Sequence, residues 1–144
     1  MHPFPHRYVV NALTTPGSTV TVRSPDLEDI QSTAPPEFSG PPGNWSPETL
    51  FVAAVADCFV LSFRAVANAA RLDWSEIDCE AAGVLDRTDG GLWFTHIELQ
   101  VKLRVPSGTD PGRAARLLEK AEQSCLVSKS LRSQVSLRTE VTVA

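Results

Sequence analysis

From Pro47 to about Leu72 the chain is apolar on nearly every helical face. Leu50, Phe51, Val52, Val55, Phe59, Val60, Leu61, Phe63 and Val66 leave no broad polar stripe. A helix of that kind is buried in a core or an interface. The chain has 144 residues, enough for one ordinary core. One long buried helix in so small a chain implies that a second subunit covers part of it. Ser46-Pro47-Glu48 marks its start. The serine can cap the free amides, proline fits the first helical position, and glutamate complements the positive end of the helix dipole.

Shorter signals surround this helix. Arg7 to Leu13 is strand-like, Thr15-Pro16-Gly17 is a turn, and Ser18 to Arg23 alternates, so the two runs predict an N-terminal hairpin. Ala34 to Pro47 is crowded with proline and glycine and reads as a long loop. Ile77 to Asp86 and Leu92 to Val105 flank Asp89-Gly90-Gly91, a strong hairpin signal. Asp110-Pro111 opens a second helix with Leu117, Leu118 and Ala121 on its apolar side. Ser124 is placed to end it and to cap a short helix starting near Cys125, and a last strand carries Val135, Leu137, Val141 and Val143 on one face. The order predicts a single α+β domain with antiparallel sheet. It comprises N-terminal strands (1–33), a Pro/Gly-rich loop (34–46), the central helix (47–72), and a hairpin, helices and final strand (77–144).

Charge and composition narrow the function. A net charge of −4 and the lack of a basic run argue against nucleic acid or an anionic membrane as partner. The first residues do not read as a signal peptide. The most apolar run, Leu50 to Phe63, contains Asp57 and is shorter than the roughly 20 residues of a bilayer span. The protein is therefore expected in the cytoplasm, where thiols stay reduced. Three cysteines without close spacing fit that setting better than a disulfide framework.

Each cysteine has its own context. Cys58 lies mid-helix, where a free cysteine is either a small core hydrophobe or a thiol held for chemistry. Cys125 lies near a helix start, with Lys129 one turn on, so free amides are expected to stabilise its thiolate. Cys79 shares a strand face with Ala81, Gly83 and Leu85 and reads as packing. No zinc site is expected, because His2, His6 and His96 are not at ligand spacing from the cysteines. A Cys–His hydrolase would need an orienting histidine, and His96, on a polar strand face, is the one to offer. Asp89-Gly90-Gly91 is no phosphate loop, since neither lysine nor helix start follows it.

Pro47-Glu48-x-Leu50-x-x-Ala53-x-x-x-Asp57-Cys58-Phe59, followed by Cys125-x-Val127-Ser128-Lys129-x-Leu131, resembles the OsmC/Ohr family of small bacterial thiol peroxidases. The resemblance spans nearly the whole chain. It implies an OsmC-like fold, antiparallel sheets around a long buried helix, and an intertwined homodimer. It also implies that Cys58 attacks the peroxide O–O bond and becomes a sulfenic acid, which Cys125 resolves as a disulfide. No bound cofactor or metal is implied. An external dithiol, such as a lipoyl group on a partner protein, would recycle the pair. The apolar lining would favour organic hydroperoxides.

Glu48 matches the family glutamate that holds an arginine against the reactive sulfur. Ten helical residues span roughly 15 Å, so Glu48 would have to come from the other subunit, or the chain would have to fold back before the helix proper. Capping is its plainer role. The chain departs from the family at three places. Val20 or Glu37 stands where the activating arginine is expected, leaving Arg23 as the nearest substitute. Asp57 precedes Cys58 where a small residue is usual, and a carboxylate there disfavours a thiolate. Leu126 replaces the proline that often follows the second cysteine. These departures leave a second reading: a non-enzymatic dimer of the same fold that binds a small hydrophobic ligand in its interface cleft.

Overall fold

A computed structural model describes all 144 residues, which divide into two compact units, Met1–Leu50 and Phe51–Ala144.

In the first unit, β1 (Asn11–Leu13), β2 (Val20–Arg23) and β3 (Ile30–Ser32) form an antiparallel sheet in that order. The predicted first strand is cut short. Its register with β2 begins at Asn11 opposite Arg23, and Tyr8, Val9 and Val10 are exposed. β3 was not foreseen, since three residues carry no readable periodicity. The Pro/Gly-rich segment is tied rather than loose: the Thr33 amide donates to the Trp45 carbonyl (2.9 Å), and Pro36–Phe38 make one 3-10 turn. Gly40 is required there, because a Cβ would lie 1.7 Å from the Ala34 carbonyl oxygen. Ser46 caps the following helix as expected: its Oγ accepts from the Thr49 amide (3.1 Å), and the Thr49 hydroxyl accepts from the Ser46 amide (2.9 Å).

That helix, α1, runs unbroken from Pro47 to Ala70. Arg71, with φ of 52°, ends it, and the Leu72 amide reaches back to the Ala67 carbonyl in a Schellman-type closure. Four residues on one stripe, Val55, Phe59, Phe63 and Ala67, are wholly buried. Burying Phe59 and Phe63 stabilises the fold by about 1.5–3 kcal/mol each. Within the single chain one face of the helix, the part expected to be covered by a second subunit, is open: Leu61 is 51% exposed, and Ala54, Ala65 and Ala69 are exposed with it. By length and composition α1 could cross a membrane, but its buried stripe packs in the core of a sheet-containing unit.

The second unit's sheet is β4 (Glu76–Thr88), β5 (Gly91–Val105) and β6 (Gln134–Val143). Strict alternation on β5 buries Ile97, Leu99, Val101, Leu103 and Val105. Cys79 lies on the face of β4 packed against that core. The predicted hairpin is present, with Gly91 at a φ of 97°. The expectation of a wholly antiparallel sheet is corrected: β6 pairs parallel to β5. Two helices separate these strands in sequence, and such a crossover returns the chain in the same direction. They are α2 (Pro111–Ser124), whose Asp110 side chain accepts from the Gly112 amide (2.9 Å), and α3 (Leu126–Lys129). Ser124 was expected to cap α3. It is instead the last residue of α2, and Cys125 is the cap shared by both helices.

Candidate functional site

Within the second unit the chain brings Cys58 and Cys125 together. Cys58 is half-buried on α1, and Cys125 is fully buried at the junction of α2 and α3. α2 is amphipathic and buries Ala114, Leu118 and Ala121, which fixes where its C-terminal end falls. The Arg113 guanidinium at its other end donates to the Ala70 carbonyl, so α2 runs antiparallel to α1 and delivers the α2–α3 junction to Cys58.

The two thiols are driven in opposite directions. Burial pushes the Cys58 thiol up, but donors outweigh it: the Val127 amide, the Cys125 thiol, the Ser62 hydroxyl (4.0 Å) and the Leu126 amide. The net result is a Cys58 pKa below its ordinary value of 9.0. For Cys125, burial pushes up; the Ser128 hydroxyl and amide pull back; proximity to Cys58 pushes up again; and the net shift is upward. Cys58 is thus the more readily deprotonated thiol of the pair, and Cys125 the one that holds its proton more tightly.

This reverses one expectation. The free amides at the start of α3 were expected to favour a Cys125 thiolate, with Lys129 assisting. The first two of them, on Leu126 and Val127, serve Cys58, and Lys129 is exposed. The departure at Leu126 also acquires a meaning, because proline has no N–H to donate. Asp57 is exposed on the rim, and the groups that set the Cys58 pKa are donors on α1 and at the α2–α3 junction. Cys79, read as packing, has its thiol pushed up to about 11 by burial, Asp78 and Cys125. It is therefore inert as a nucleophile at neutral pH.

A groove of about 810 Å³ runs along the open face of α1 past Cys58. Ala54, Leu61, Ala65 and Val66 line one wall and Leu126 and Val127 face them, while Asp57 and Lys120 are its charged residues. No three histidine, cysteine or acidic side chains are grouped to hold a metal ion.

Glu48 and Arg23 lie in the first unit and are not paired there. Arg23 Nε donates to Asp29 Oδ2 at 2.9 Å on the surface. Glu48 lines a cavity of about 540 Å³ with Val20, Val22, Phe38 and Leu50, and its Oε2 is buried without a hydrogen-bond partner. Val20, at one position expected to carry arginine, shares that cavity. The unbroken course of α1 removes a fold-back of the chain before the helix. His96 is exposed, with Nδ1 bound to Thr95 Oγ1 at 3.0 Å.

Comparison with known proteins follows the same lines. The profile of a family described as OsmC-like protein matches residues 40–140. Peroxiredoxin OsmC of Escherichia coli is 33% identical over 100 residues, covering 69% of this chain and 68% of its own. The organic hydroperoxide resistance protein of Xanthomonas axonopodis is 29% identical over 133 residues, covering 90% of this chain and 91% of its own. Among solved structures, an OsmC-like protein of unknown function from Vibrio cholerae superposes with a TM-score of 0.84 at 20% identity, over 96% of this chain and all of that one. An organic hydroperoxide resistance protein from Legionella pneumophila gives 0.77 at 25% identity, over 98% of this chain and all of that one.

Proposed function

This chain belongs to the OsmC-like protein family, and from that premise we propose that it is a thiol peroxidase reducing organic hydroperoxides to alcohols. The observation that carries this reading is the opposed tuning of two neighbouring thiols, Cys58 down and Cys125 up.

In the proposed cycle the Cys58 thiolate attacks the terminal oxygen of the hydroperoxide. The O–O bond breaks, Cys58 becomes a sulfenic acid, and the departing alkoxide takes a proton to leave as the alcohol. Cys125 then attacks the Cys58 sulfur. An S–S bond forms, the S–OH bond breaks, and the Cys125 proton leaves with hydroxide as water. An external dithiol, with a lipoyl group on a partner protein as the expected form, reduces the disulfide and returns both thiols. A sulfenic acid needs a thiol at hand before a second peroxide over-oxidises it, and a buried neighbour meets that need.

The apolar groove supports carbon-bearing hydroperoxides over hydrogen peroxide. The unburied side of α1 supports a homodimer, since contiguous apolar surface of that kind marks an interface. The protein is proposed to act in the cytoplasm, where the dithiol pool keeps both cysteines reduced.

The test is consumption of cumene hydroperoxide with excess dithiol by the native chain, Cys58→Ser and Cys125→Ser. Turnover above the dithiol alone that vanishes in Cys58→Ser is expected. Turnover that survives Cys58→Ser sinks the proposal. A second reading, a non-enzymatic dimer binding a small hydrophobic ligand, is favoured by two observations: Arg23 is held by Asp29, and Glu48 Oε2 has no partner. On that reading no variant or native chain consumes peroxide.

A further inference from the structure

Ser128 carries a hydroxyl that the fold leaves without a bond. The residue is 8% exposed, and its Oγ is buried with no hydrogen-bond partner of good geometry. A buried hydroxyl in that state costs roughly 1–3 kcal/mol. Nothing in α3 requires it. Cys125 caps α3 and Ser128 is the third residue in, the relationship of a capping box, in which the side chain of the third residue reaches back to the cap amide. Here that amide is already taken, because Cys125 N–H donates to the Glu122 carbonyl (3.2 Å). The Ser128 hydroxyl instead acts on the Cys125 thiol, whose pKa it lowers.

We infer that Ser128 is a positioning residue for the resolving step, its hydroxyl donating to the Cys125 sulfur as that sulfur gains charge. The inference rests on the peroxidase reading and deepens it. Cys125 must shed its proton to attack, yet it is fully buried and beside another sulfur. A donor held ready but unbonded in the resting thiol is an interaction realised only as charge develops, which is where it lowers a barrier. The same hydroxyl and the Ser128 amide are the groups that offset the rise of the Cys125 pKa. Cys58 of α1 and Cys79 of β4 are the titratable groups facing Cys125, and Lys129 of α3 is exposed. The donor assists one bond-making event: Cys125 S joins Cys58 S, and the Cys58 S–OH bond breaks with loss of water.

Dithiodipyridine separates the two thiols without peroxide. Cys58 attacks it and releases one thiopyridone; Cys125 then displaces the second and forms the Cys58–Cys125 disulfide. For Ser128→Ala the first release is expected to match the native chain. The second is expected to slow about tenfold or more, the scale of a hydrogen bond to a charged atom, with its pH midpoint moved upward. Ser128→Thr, which keeps the hydroxyl, should restore both. Equal second-release rates in the native chain and Ser128→Ala overturn the inference. So does a variant slowed equally in both steps that Ser128→Thr does not rescue. A native chain that closes the disulfide here but consumes no hydroperoxide defeats the peroxidase reading alone, and the second release still judges Ser128.

Discussion

The main-chain amide of Val127, at the start of α3, is the strongest of the groups that lower the pKa of Cys58 in the middle of α1. Together with the Leu126 amide it favours the Cys58 thiolate in the same direction as a side-chain cation would, through neutral N–H dipoles. The Ser62 hydroxyl and the Cys125 thiol complete the donor set.

Leu126→Pro tests that set with little disturbance. Proline is favoured at the first position of a helix, and Cys125 already has the extended φ and ψ (−67°, 111°) that a residue before proline requires. Leu126 is 74% exposed, so no packing is lost. The variant should fold normally and form its Cys58 thiolate at higher pH, read from the pH dependence of iodoacetamide alkylation. An unchanged profile would remove the Leu126 amide from the account.

Cys125→Ala removes both a group that lowers the Cys58 pKa and the sulfur proposed to resolve the sulfenic acid. The Cys58 thiolate should form at higher pH, and a hydroperoxide should leave Cys58 as a sulfenic acid that passes to sulfinic acid with excess oxidant. Mass spectrometry distinguishes these by one and two added oxygen atoms. Retention of a disulfide to Cys79 would contradict the inert role given to that residue.

Cys79 makes a prediction about stability. Its thiol is near 11 when folded, against an ordinary value of 9.0. The folded chain therefore keeps a proton that the unfolded chain loses, and stability falls as pH rises from 9.0 towards about 11. The contribution is whole below 9.0 and lost above the folded value. Cys79→Ala should flatten this alkaline decline in urea titrations, after allowance for its constant packing loss. An equally steep decline in the variant would place the cause elsewhere.

Gly83 tests the packing of α1 on the sheet. A Cβ there would lie 2.5 Å from Val52 Cγ2 and 3.0 Å from the Phe94 ring, and a β-branched side chain has little freedom to yield. Gly83→Ala should lose about 1–3 kcal/mol by denaturant unfolding. No loss would mean that α1 sits farther from β4 than described.

The sequence disclosed what rests on long periodic signals. The Ser46 cap, the helix after it, the hairpin turning at Asp89-Gly90-Gly91 and the Asp110 start of α2 are all local chemistry repeated over many residues. β3 is too short to show a period, and the direction of β6 depends on where α2 and α3 return the chain. The apolar girth of α1 implied burial in a core or an interface; one stripe meets the core, and the opposite face is open in the single chain. The two cysteines that the fold brings together were legible from their motifs. Which of them the α3 amides serve was not, because that depends on α2 lying antiparallel to α1. Arg23 illustrates the same limit: nothing local forecasts that Asp29 will take its guanidinium.

The most direct test is one equivalent of cumene hydroperoxide added to the reduced native chain, followed by peptide mapping of its disulfides. The expected product is a Cys58–Cys125 disulfide with Cys79 still a free thiol. Three unmodified thiols, or oxidation that begins at Cys125 or Cys79 while Cys58 stays reduced, would contradict the account.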